Sequence, residues 1–71
     1  MKIETLVKMA NDIGNFFNAE SNKEIAAEGI SKHILRSWHP KMRSEIIAYC
    51  KKDGSALSEL ARTAITKLDQ A

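Results

Sequence analysis

Apolar positions along this chain recur at intervals of three and four residues, and no stretch alternates apolar with polar residues as a half-buried strand does. Between Ile3 and Phe17, the residues Ile3, Leu6, Val7, Ala10, Ile13 and Phe17 share one side of a helical wheel. Met9 and Phe16, seven residues apart, stand at the edge of that stripe. The polar run "NAESN" then breaks the pattern. Ser21 and Glu24 have the spacing of a capping box and predict the start of a second helix. Its inner side is read as Ile25, Gly29, Ile30, His33, Ile34 and Ser37. Glycine inside a helix costs about 1 kcal/mol relative to alanine, so Gly29 on that side predicts a close crossing.

Pro40 ends the second helix, because it biases His39 away from helical angles and itself suits the first turn of a third. The third helix runs from about Pro40 to Lys51 and turns Met42, Ile46, Ile47 and Cys50 inward, with Tyr49 beside them. "KKDGS" stops it, with cations in the last turn and Gly54 just beyond. Ser55 is the expected cap of a fourth helix, in which Leu57, Leu60, Ala61, Ala64, Ile65 and Leu68 form the cleanest stripe of the chain. The expected fold is all-α, a single domain over residues 1–71 built as a compact bundle of about four short helices.

Composition narrows what such a bundle can do. A chain of 71 residues lies near the lower limit of independent folding, so a partner that covers apolar surface would stabilise it, and a deep pocket would cost core. The net charge of +2 is too small to imply nucleic acid by itself. A single cysteine, Cys50, excludes an internal disulfide framework and fits a reducing compartment. No apolar run approaches the roughly 20 residues that cross a bilayer. The opening "MKIETLVKMANDIG" mixes polar residues throughout, unlike a secretory signal, so a cytoplasmic location without membrane contact is expected.

Candidate chemistry is sparse. His33 and His39 are separated by a helix break, Cys50 lies further on, and no second cysteine completes a zinc-type pair. Cys50 follows Ile46 on the inner side and reads as a small buried hydrophobe rather than a nucleophile. Glu24, Glu28, Glu45 and Glu59 fall on solvent faces or helix starts, and three separated glycines make no phosphate cradle. No catalytic, cofactor-binding or metal-ligating residue is assigned.

The segment "SWHPKMR", Ser37 to Arg43, is richer, holding the only Trp and the only Pro of the chain. From Lys32 to Arg43 there are four fixed cations, Lys32, Arg36, Lys41 and Arg43, and no carboxylate. Two helices meeting there resemble a helix-turn-helix nucleic-acid module, but the reading helix carries Glu45 and packing residues, so nucleic acid is not the expected partner. Lys32 and Arg36 suit the carbonyl end of the second helix. Arg43 falls within an apolar stripe and needs a fixed acceptor, a carboxylate or the bare carbonyls ending a neighbouring helix, either within the chain or on a partner. His33 in mid-stripe reads as a hydrogen-bonded core histidine. Trp, Met, Arg and aromatics are enriched in binding hot spots, so Met9, Phe16, Trp38 and Met42, with Arg43, form a candidate partner-binding patch. The alternative is that these side chains complete a thin core.

Two segments in order, "LVKMANDIGNFF" (Leu6 to Phe17) and "HILRSWHPKMR" (His33 to Arg43), resemble the delta subunit of NAD-dependent formate dehydrogenases. That family opens on L-V-x-M-A-N-x-I-x-x-F-F and carries a central H-I-x-x-x-W-x-P-x-M-R, followed by a Leu- and Ala-rich helix like "LSELARTAITKL" here. The matching positions are Leu6, Val7, Met9, Ala10, Asn11, Ile13, Phe16 and Phe17, then His33, Ile34, Trp38, Pro40, Met42 and Arg43. Ser37 and Lys41 depart from the aromatic and the arginine often found there, which leaves the turn intact and the patch less aromatic. The resemblance covers Leu6 to Leu68 and implies a noncatalytic subunit of a cytoplasmic complex. Its catalytic partner subunit would oxidise formate at a molybdopterin centre, with electrons passing over iron–sulfur clusters and FMN to NAD. This chain would bind none of those cofactors and would dock on the catalytic subunit, to support assembly or stability. Transient chaperoning of the molybdopterin subunit is the neighbouring reading.

Overall fold

The structure, a computed structural model, describes residues 1–70. Its helices are α1 (Ile3–Phe17), α2 (Lys23–Ser37), α3 (Pro40–Lys52) and α4 (Glu59–Gln70), and no strand occurs among the described residues. The all-α bundle is the fold that the apolar periodicity predicts.

Local chemistry explains each boundary, and in two places a different residue does the capping from the one expected. Asn22, not Ser21, caps α2: its Oδ1 accepts from the backbone N–H of Glu24 at 3.0 Å and of Ile25 at 3.2 Å. Ser21 instead donates its hydroxyl to Glu20, whose carboxylate also accepts from Asn22 N–H. Asparagine and serine cap about equally well, so spacing alone does not separate neighbouring candidates. Likewise Ser58, not Ser55, caps α4, accepting from Ala61 N–H at 3.2 Å, and Leu57 is buried in the turn before the helix. Pro40 occupies the first turn of α3, and Gly54, at φ 69°, takes the left-handed position just past its end. A Cβ there would lie 3.0 Å from the Cys50 carbonyl oxygen.

The most extensive pairing is α2 against α4, whereas the consecutive α2 and α3 scarcely touch. Small residues make that pairing close: α2 buries Ala26 and Ala27 beside Ile30, Ser31 and Ile34, and α4 buries Ala61 and Ala64 beside Ile65 and Leu68. Leu6, Val7 and Ala10 of α1, Trp38 and Ile46 complete the core.

The inner side of α2 therefore differs from the one expected. Ile25 is 57% exposed and Ser37 is exposed, whereas Ile34 is buried. Ile25 and Ile34 are nine residues apart, two and a half turns, so they cannot share a face. Side-chain bulk pointed to Ile25; the close approach of α4 selects the alanines. On α3 only Ile46 is fully inside, with Met42, Ile47, Tyr49 and Cys50 packed half-buried against the core.

Candidate docking surface

The α2–α3 corner is built on an arginine. Trp38 ends α2 in extended conformation, its N–H donating to Ile34 O at 2.9 Å, and its side chain is 5% exposed. His39, also extended, precedes Pro40, and the Arg43 N–H makes the first bond of α3 to His39 O at 3.1 Å. One turn into α3, the Arg43 guanidinium reaches back: Nη1 donates to Trp38 O at 2.6 Å and to Leu35 O at 3.3 Å. Of the two acceptors open to Arg43, the carbonyls ending α2 are the ones it uses. A cation there also opposes the negative end of the α2 dipole.

The same device recurs at the other turns. Lys23 Nζ donates to Asn18 O, Asn18 Oδ1 and Glu20 O at 2.9–3.0 Å across the α1–α2 turn. Arg62 Nη1 donates to Gly54 O and Leu57 O, both at 3.2 Å, across the α3–α4 turn. Each interhelical turn thus has one cation bonded to its carbonyls, of which Gly54 O also accepts from Leu57 N–H at 3.1 Å. Asn11 adds a longer link: its Nδ2 donates to Ala56 O and its Oδ1 accepts from Ser58 N–H, both at 2.9 Å, joining α1 to the start of α4.

These contacts divide the candidate patch. Trp38 lies in the core, Met9 and Met42 are half-buried against it, and Arg43 is bonded within the chain. Pro40 is exposed at the corner, and His33 is half-buried with its ring centroid 6.5 Å from that of Phe17. Phe16 alone stands clear, at 79% exposure. The five residues therefore do not form one open surface around Trp38. A Trp beside a proline turn serves here as the plug of a thin core, which residue type alone could not decide.

A different surface collects at the α1–α2 edge. The Phe17 ring lies over Gly29, where a Cβ would come within 2.6 Å of it, so the close crossing expected at Gly29 is made by an aromatic ring. Phe16 packs edge-on to Phe17, with ring centroids 5.3 Å apart. On α2, Ile25 stands one turn before Gly29 and His33 one turn after it. Leu35, which the periodicity places off the inner stripe, is exposed; the exposure of Ile25 was missed, and the alanine pair at 26 and 27 was the signal that could have rotated α2 correctly.

Among the described residues there is no cluster of three or more His, Cys, Asp or Glu side chains, and Cys50 is a half-buried free thiol. The surface hollows are open; one of about 470 Å³ between α1 and α4 is lined by Asn15, Asn18, Lys23, Glu24, Ser58 and Thr63 among others. Glu24 pairs with Lys67 across α2 and α4 at 3.0 Å, and this hydrogen bond, with the Glu24 charge, holds the Lys67 ammonium above its ordinary pKa. No described helix is long and apolar enough to cross a membrane.

Residues 5–65, from α1 into α4, match the family model of the NADH-dependent formate dehydrogenase delta subunit, FdsD. The chain belongs to that family. No curated protein and no solved structure gives a match. A delta subunit is by that description a component of the formate dehydrogenase complex, so association with the complex follows from membership. The matched span takes in both motifs of the sequence resemblance, the Asn11 link and the Arg43 clasp.

Proposed function

We propose that this chain is a noncatalytic small subunit that docks on the catalytic subunit of formate dehydrogenase and supports assembly or stability of the holoenzyme. The observation that carries the reading is the way the polar chemistry is spent on the chain's own fold. Arg43, Lys23, Arg62 and Asn11 are bonded to main-chain groups at the turns, and among the described residues no buried side-chain polar atom is left without a partner. What remains outward is a small convex body, 31 × 22 × 17 Å, with a large aromatic ring in solvent. Such a body suits lodging against a larger neighbour. The molybdopterin, iron–sulfur, FMN and NAD chemistry implied by the family is assigned to the partner subunits.

The cationic segment is partly consumed, which weighs against nucleic acid. Lys32 faces Glu28 at 3.8 Å and Arg43 is tied to carbonyls, leaving Arg36 and Lys41 of the four.

Co-expression with the other subunits of the complex tests the proposal. A complex containing this chain that survives gel filtration is the expected outcome; complete separation overturns it. Pulldowns against cofactor-loaded and cofactor-free catalytic subunit then separate a resident subunit, which binds both, from a maturation chaperone, which binds the cofactor-free form alone.

A further inference from the structure

We infer that docking runs through the α1–α2 edge, with Phe16 and Ile25 inserted into a concave apolar pocket on the catalytic subunit of formate dehydrogenase. This rests on the docking reading above and assigns it a surface. Phe16 and Ile25 are 79% and 57% exposed, the two most exposed large apolar side chains within the helices. Neither is loose. Phe16 belongs to the last turn of α1 and is braced edge-on by Phe17, whose ring is in turn locked over Gly29. An anchor held this way loses little freedom on binding. Glu24, Glu28 and Lys32 share a shallow hollow with Ile25 and Gly29, so Ile25 has a charged rim, the usual plan of an interface.

The occupant follows from area and shape. An aromatic side chain offers roughly 150–250 Å², and a stable interface needs roughly 800 Å² per partner. Two projecting side chains on a convex edge cannot reach that against a second copy. Membership in a subunit family of the formate dehydrogenase complex supplies a larger neighbour. A larger protein with an apolar recess can enclose the ring and wrap the sides of so small a body.

The test uses the whole chain co-expressed with the other subunits of the complex. Phe16→Glu and Ile25→Glu, at exposed positions, keep the wild-type circular dichroism and thermal midpoint. Each weakens co-purification or the measured affinity by about thirtyfold, the scale of a hot-spot loss. Leu35→Glu, at a similarly exposed leucine on another side of α2, leaves binding unchanged. A photoreactive phenylalanine analogue at position 16 crosslinks to the partner subunit. Wild-type-like binding by both variants, or an equal loss from Leu35→Glu, overturns the surface while leaving docking intact. Failure of the wild type to bind overturns docking itself. A wild-type dimer dissociated by Phe16→Glu would assign the edge to a second copy and reject the inference.

Discussion

Arg43 Nη1 and the main-chain oxygen of Trp38, five residues apart, lie 2.6 Å from one another across the α2–α3 corner. The indole of Trp38 is meanwhile 5% exposed, so one residue supplies a core plug through its side chain and a cation acceptor through its backbone. The corner is closed by bonds within the chain. Pro40 removes a donor there, and the extended Trp38 and His39 cannot continue α2.

Removal of the clasp should therefore appear as lost stability. Arg43→Ala is expected to lower unfolding free energy by about 1–2 kcal/mol, because a charged donor to carbonyls is lost from a partly exposed site. Trp38→Ala should cost about 3–5 kcal/mol, enough to leave a domain of this size largely unfolded. Denaturant titrations followed by circular dichroism measure both. Wild-type stability of Arg43→Ala would contradict the clasp, and wild-type stability of Trp38→Ala would contradict the indole's place in the core.

The two helical glycines should respond in opposite directions. At Gly14 an added Cβ meets Ser58 Oγ at 3.6 Å and Ala61 Cβ at 3.8 Å, ordinary contacts. Gly14→Ala should then stabilise by about 0.5–1 kcal/mol through helix propensity. At Gly29 the new methyl would collide with the Phe17 ring at 2.6 Å. Overpacking of about 1–3 kcal/mol should outweigh the propensity gain there, giving no stabilisation or a net loss. Thermal unfolding of the pair decides it.

Asn11 uses both ends of its amide on the turn before α4. Asn11→Asp keeps the acceptor for Ser58 N–H but turns a carboxylate oxygen toward the Ala56 carbonyl, replacing a bond by a repulsion. A loss of about 1–2 kcal/mol is expected, with Asn11→Ala similar. Hydrogen exchange should localise the change to the amides that open α4, Ser58 to Arg62.

The Lys67–Glu24 pair gives a dependence on alkaline pH. The folded-state pKa of Lys67 is raised, so its contribution is fully present below the ordinary value of 10.5 and is lost as pH climbs through the higher folded value. Lys67 is about one-third and Glu24 mostly exposed, so the effect is small. Lys67→Gln should unfold slightly below wild type near neutrality and converge with it well above pH 10.5. A gap that widens with pH would contradict the pairing.

Helix number, the Pro40 boundary and the Gly54 stop were legible in the residues themselves, because periodicity, proline geometry and a left-handed glycine act over one or two turns of chain. The motif pair also pointed to the family that residues 5–65 match. Tertiary packing decided what local rules leave degenerate. Asn22 and Ser58 cap in place of neighbouring serines, since both choices are chemically adequate and the path of the turn selects one. The rotation of α2 was set by packing: in the pairing with α4, the most extensive of the bundle, α2 buries Ala26 and Ala27 and leaves Ile25 outside. Arg43 found its acceptor only once the end of α2 was brought beside the start of α3. A side chain's environment depends on which neighbour reaches it, and that belongs to the assembled bundle.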